Sequence, residues 1–232
     1  ISLLHGFPLF TWSASAALRS KHVNRLILST DSLSYQKIVN AYGFEAPYLR
    51  PPCFATDSSP EFDFVQNLLA TLETEENYVP DICVRLLATV PMQLEGEIDA
   101  AIDALISCPE LDSSVVISES RQHPLKSIEV SNCGKRCYPY GMNEDYSHQL
   151  TPLGRASYEK SFHRSNVIVF RTSVIKNTAS FTGRSCYPVI IEQTRSIDID
   201  TEVDMWCADA IMERLSWGLI HPNLSTRPSS MD

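Results

Sequence analysis

Short β-rich runs alternate with helix-forming stretches along the first half of this chain, and that alternation constrains the fold more than any other feature. Residues 23–29 (VNRLILS) form a β-rich run ending in polar Thr30, Asp31 and Ser32. Asp31 or Ser32 is placed to cap a helix over 34–42, which Gly43 stops. A second run, 44–49, is broken by Arg50-Pro51-Pro52. Pro60 then opens a helix expected over 59–74. Residues 82–89 (ICVRLLAT) are apolar enough for a buried central strand. Ile98, Ile102 and Leu105 repeat at helical spacing within 96–107, and 114–118 (SVVIS) is another strand. An Ala-rich helix over 8–20, with Leu18 on its buried side, precedes all of these. Strands separated by helices cannot pair as hairpins, so the expected class is α/β with a mostly parallel sheet between helical layers.

The pattern changes after Ser118. Residues 119–162 are polar, rich in Tyr, His and Ser, and weakly periodic; so long an excursion inside one domain is usually functional or an interface element. Residues 167–170 (VIVF) and 186–191 (CYPVII) resume the sheet. With 232 residues the chain is long enough for a single domain with a substantial core. A net charge of −9 argues against a nucleic-acid surface. The odd count of 7 cysteines, with no C-x-x-C pair, favours reduced thiols and a cytoplasmic protein over a disulfide framework. No apolar run reaches membrane-spanning length. The 6 histidines show no metal-ligand spacing.

The chemistry is concentrated in Arg195-Ser196-Ile197-Asp198-Ile199-Asp200-Thr201-Glu202-Val203-Asp204. If its start is extended, Asp198 and Asp200 share one face while Ile197 and Ile199 point into a core. Two carboxylates so placed can share a hard divalent cation such as Mg²⁺, which keeps waters for a substrate's phosphates. The alternative is a solvated strand edge with no ligand. A helix is expected directly afterwards, over 202–215.

Several segments, in order and over essentially the whole chain, resemble the N-acylneuraminate cytidylyltransferases (CMP-sialic acid synthetases). They are Leu4-x-Gly6-x-Pro8-Leu9, Leu28-Ser29-Thr30-Asp31-Ser32, Tyr42-Gly43-x-Glu45-x-Pro47-x-Leu49-Arg50-Pro51 and Ala55-x-Asp57-Ser58-Ser59. Leu87-Ala88-Thr89-Val90-Pro91, Phe181-x-Gly183 and the acidic run complete the set. The resemblance implies a Rossmann-like three-layer fold. It implies a Mg²⁺-dependent reaction in which the anomeric hydroxyl of a nine-carbon 2-keto sugar acid attacks the α-phosphate of CTP and releases pyrophosphate. Asp198 and Asp200 match the metal ligands, which are also the catalytic pair. Arg50 matches an arginine on the nucleotide side. Arg155 matches an arginine pairing with the sugar carboxylate, and Phe181 an aromatic residue of the N-acyl pocket. The 119–162 excursion corresponds to a homodimerisation region.

Departures from the family pattern fall mainly on substrate contacts. Leu87 stands where glutamine is expected, Val90 where serine, Gln93 where arginine and Glu61 where a small hydroxyl residue. Ser165-Asn166 replaces Asn-Gly, Val169 an aromatic residue and Ala156 a glutamine. The family's first strand and basic phosphate loop have no counterpart after Ile1, so residues upstream of it are expected to be missing. Two readings follow: an active enzyme for a different nonulosonate, or a catalytically impaired relative that binds nucleotide or sugar.

Overall fold

The computed structural model describes residues 2–141 and 158–215. Its centre is a four-stranded sheet ordered β3-β7-β4-β8: Ile82–Arg85, Phe162–Arg171, Ser113–Glu119 and Cys186–Ile191. β4 and β8 are parallel, and β7 is antiparallel to both β3 and β4. Three strands therefore run one way and β7 runs against them. The reason is its connection. The chain leaves β4 at Glu119 and re-enters at Phe162, directly opposite it, so the excursion closes a wide hairpin instead of a crossover.

Strand residues alternate between two cores. Val116, Val167 and Val169 pack with Ala16 and Ala17 of α1 (Leu9–Arg19) and with Ile98, Ala101, Ile102 and Leu105 of α4 (Glu95–Ser107). Val115, Ile168 and Phe170 face the other way, against Phe62, Val65 and Leu69 of α3 (Glu61–Glu76) and Ile175 of α5 (Thr172–Asn177). Helices on both faces give the three layers expected of a doubly wound sheet. A third cluster lies beyond it. Leu4, Trp12 and Met92 pack there with Ile197, Ile199, Ala208 and Met212, the last two from α6 (Glu202–Arg214). Leu4 belongs to a two-residue strand, β1 (Leu3–Leu4), turned back through His5-Gly6 onto β2 (Phe7–Pro8).

The structure corrects three expectations. Leu18 is 60% exposed; the small residues 13–17 form the buried side of α1, because only they allow its close approach to α4. The runs 23–29 and 44–49 are not full strands. They meet through two isolated parallel bridges, Ile27↔Glu45 and Thr30↔Leu49. The end of 82–89 is a loop, because its backbone bonds go to side chains (below). The cap of α2 (Leu33–Ala41) is Ser32, whose hydroxyl accepts from the Tyr35 amide. The excursion contains a hairpin, β5 (Ile128–Val130) with β6 (Cys137–Pro139). No disulfide forms among the described residues, and none of their helices is long and apolar enough to cross a membrane.

Candidate functional site

β8 ends at Ile191, and a single 3-10 turn, Gln193–Arg195, leads into the acidic run. The run belongs to no strand, yet its burial alternates residue by residue. Ile197 and Ile199 are each 8% exposed and sit in the third cluster, while Asp198 and Asp200 are exposed. One backbone bond fixes the phase: the Ile199 amide donates to the Thr89 carbonyl at 2.9 Å. Two buried isoleucines and that bond turn both carboxylates to the same solvent face. The face lies beyond the C-terminal ends of β8 and β3, where open α/β sheets bind their ligands.

The rest of the acidic string has a different task. Thr201 caps α6 by accepting from the Asp204 amide at 3.3 Å, and Asp204 accepts from the Thr201 amide at 2.9 Å and its hydroxyl at 2.6 Å. These bonds hold the Asp204 carboxyl below its ordinary range. T-E-x-D is thus a capping box, which leaves Asp198 and Asp200 as the candidate pair for ligand chemistry.

Residues to which the sequence assigned no such task hold this run in place. Asn166, fully buried in β7, accepts from the Leu87 amide and donates to the Leu87 carbonyl at 3.2 Å and, weakly, to Val90 at 3.5 Å. Ser13 of α1 donates to the same two carbonyls, at 2.9 and 3.0 Å. The 87–90 loop is therefore stapled from both sides, and its Thr89 carbonyl is the one that receives Ile199. On the other flank, Arg195 pairs with the buried Glu97 at 2.9 Å. Glu97 also accepts from the Leu94 amide at 3.1 Å and from the Gln93 side chain. Burial pushes the Glu97 carboxyl up; Leu94, Arg195 and Gln93 only partly oppose it. A signal for Asn166 existed: an amide inside an otherwise apolar strand must find partners.

Arg50 follows the 44–49 run, its amide bonded to the Thr30 carbonyl at 2.8 Å. Its guanidinium donates to the Ser29 hydroxyl and carbonyl at 3.2 and 3.1 Å and lies 4.0 Å over the Phe64 ring. Burial lowers its pKa, with Asp31 and Glu61 opposing. It borders a cavity of about 220 Å³ with Ser29, Tyr48, Phe64, Asn67 and Thr71. Glu61, the unexpected carboxylate, is ion-paired with Arg85. Phe181 is half-buried against Phe62 and Phe170, at 5.9 and 5.3 Å between ring centres. Its neighbour Thr182 accepts from Ser113 at the start of β4, the end of the sheet opposite Asp198 and Asp200. Arg155 lies outside the described residues.

The first turns of α3 gather three of these features: Phe62 touches Phe181, Phe64 touches Arg50, and Glu61 pairs with Arg85. The carboxylate pair joins them through the loop that follows Arg85. Among the described residues no group of three or more His, Cys, Asp or Glu side chains could hold a metal. A pair of exposed carboxylates nevertheless fits Mg²⁺, which is commonly held by one or two carboxylates plus waters and substrate phosphates.

Comparison with known proteins gives a consistent answer. Residues 1–183 match the family model described as cytidylyltransferase. The chain is 23% identical over 207 residues to an N-acylneuraminate cytidylyltransferase of Escherichia coli O18:K1:H7, covering 89% of this chain and 46% of that protein. It thus spans about half the length of that relative. It is 26% identical over 214 residues to a CMP-N,N'-diacetyllegionaminic acid synthase of Legionella pneumophila, covering 91% and 88% of the two chains. The structure of a CMP:2-keto-3-deoxy-manno-octonic acid synthetase complexed with CTP superposes with a TM-score of 0.66 at 12% identity, covering 92% and 91%. That likeness establishes the fold: a Rossmann-like α/β architecture.

Proposed function

Because this chain belongs to the cytidylyltransferase family, we propose that it transfers CMP from CTP to a sialic-acid-like nonulosonate and releases pyrophosphate. The observation that carries the reading is the joint presentation of Asp198 and Asp200 at the mouth of the sheet. Buried Ile197 and Ile199 and the Thr89 bond hold both carboxylates there. The sugar's anomeric oxygen forms a bond to the α-phosphorus, the bond to the β-phosphate oxygen breaks, and the hydroxyl proton leaves to solvent. Bound Mg²⁺ would neutralise charge building on the phosphate oxygens. Asp198 and Asp200 would hold that ion. Arg50, anchored by Ser29 and Phe64, offers a fixed cation on the nucleotide side. The names of the similar proteins support a nonulosonate as acceptor. Phe181, packed on Phe62 and Phe170 at the other end of the sheet, is set aside as a sugar contact; Arg155 in that role belongs to the proposal. So does a homodimer through the excursion, whose Leu125, Ile128, Val130 and Tyr140 are exposed.

The test is pyrophosphate release by the purified protein with CTP, Mg²⁺ and a panel of nonulosonates. At least one sugar is expected to support turnover, and Asp200→Asn to abolish it while leaving the fold intact by circular dichroism. CTP binding without turnover for any sugar would overturn the reading.

A further inference from the structure

Glu61 and Arg85 interrupt the nucleotide side of the site with a charge pair that the reaction as described does not use. Arg85 ends β3 on the face covered by α3. Its side chain is 12% exposed, and its partner Glu61 is 44% exposed. One nitrogen of the guanidinium is anchored inward, donating to the Asn166 carbonyl at 3.1 Å. Its Nε is buried and makes no hydrogen bond among the described residues. Glu61 therefore covers a fixed, mostly buried cation from the solvent side. Phe64 lies three residues after Glu61 on α3, so the two side chains are neighbours on one face of the helix. Arg50 is stacked on that Phe64. Two guanidiniums thus flank a single helical turn, each held by its own scaffold, with the exposed carboxylate of Glu61 beside them and Asp31 also acting on Arg50.

We infer that Arg85 is a second binding cation for a substrate oxyanion, and that Glu61 is its displaceable resident counter-ion. The inference rests on the cytidylyltransferase reading and deepens it. A largely buried guanidinium requires an anionic partner, whereas a half-exposed carboxylate gives up an ion pair at little cost. A phosphate or carboxylate oxygen can take the place of the single Glu61 oxygen on the guanidinium, and the unpartnered Arg85 Nε is left to donate to a second oxygen. The oxyanion is either a phosphate of CTP or the carboxylate of the sugar acid. Glu61 opposes both, because it competes for Arg85 and repels a like charge.

Calorimetric titration of the full chain with CTP, cytidine and N-acetylneuraminate, each with Mg²⁺, separates the cases. Glu61→Gln, a substitution on the surface of a helix, is expected to tighten the charged ligand concerned by roughly three- to tenfold and to leave cytidine unchanged. Tightening of CTP identifies a phosphate, and tightening of N-acetylneuraminate the sugar carboxylate. In an Arg85→Gln background the gain should vanish, and Arg85→Lys should retain part of it. An unchanged affinity in Glu61→Gln for both charged ligands overturns the inference, as does a gain that persists without Arg85. If wild type binds and turns over while Glu61→Gln changes nothing, only this inference falls. If folded wild type binds neither CTP nor the sugar, the cytidylyltransferase reading falls with it.

Discussion

Replacing Asn166 by alanine tests how the loop that carries the site is held. The amide is fully buried and serves three backbone groups of the 87–90 loop. The Ser13 hydroxyl reaches two of them, the carbonyls of Leu87 and Val90, but has one proton to share between them. Among the described residues the Leu87 amide proton has only Asn166. The substitution leaves that N–H without a partner, at a cost of about 1–3 kcal/mol, and adds a small cavity. A loss of about 2–3 kcal/mol is expected. For a chain of this length that is a fall of roughly 4–12 °C in Tm. Ser13→Ala removes only the shared bond and should cost about 1 kcal/mol. The double variant should depart from additivity, because both residues act on the same two carbonyls. Urea unfolding followed by circular dichroism measures all three. Displacement of the loop should also move the Thr89 carbonyl and loosen Ile199, so turnover by Asn166→Ala should require more Mg²⁺. The reasoning is refuted if Asn166→Ala unfolds within about 0.5 kcal/mol of wild type.

Three further outcomes follow from the same geometry. Gly183 has φ +60°, and a Cβ there would lie 2.5–2.7 Å from Asp112 side-chain atoms. Asp112 is tied to the Arg184 and Ser185 amides at 2.7 and 3.2 Å, so Gly183→Ala should cost about 2–4 kcal/mol in chemical denaturation. Thr201→Ala removes the cap of α6 and should lower stability by about 1 kcal/mol. Fraying next to Asp200 should also raise amide hydrogen exchange at the start of the helix. Glu97 has a folded-state pKa above its ordinary 4.5 because it is buried. The folded state therefore holds its proton more tightly than the unfolded state. That contribution is complete below 4.5 and is lost as pH rises through the folded value. As pH rises above 4.5, wild type should lose stability relative to Glu97→Gln, and the urea midpoints of the two proteins over a pH series check the sign. Arg195→Ala, which removes the opposing cation, should steepen the loss.

Much of the site was legible before any coordinates. The alternation of isoleucine and aspartate in 197–200 specified which side chains are buried and which are displayed, because a period of two has only one solution when one face must leave water. A cap at Asp31 or Ser32, the helix carrying Ile98, Ile102 and Leu105, and the strand 114–118 were legible for similar local reasons; the structure chose Ser32. The task of Asp204 was not. Its spacing from Thr201 is that of a capping box, yet in sequence it reads as one more carboxylate in an acidic string.

By itself, the sequence determined most of the helices, the class of fold, and which carboxylates share a face, since these follow from side-chain periodicity and backbone preference within a few residues. The tertiary structure decided the reversed direction of β7, the exposure of Leu18, the stapling of the 87–90 loop by Asn166 and Ser13, and the pairing of Glu61 with Arg85. Each of these joins positions more than 20 residues apart, or turns on which neighbour a helix meets. Such partners are chosen by close packing and by the need to satisfy buried polar groups, and neither is written in a short stretch of chain.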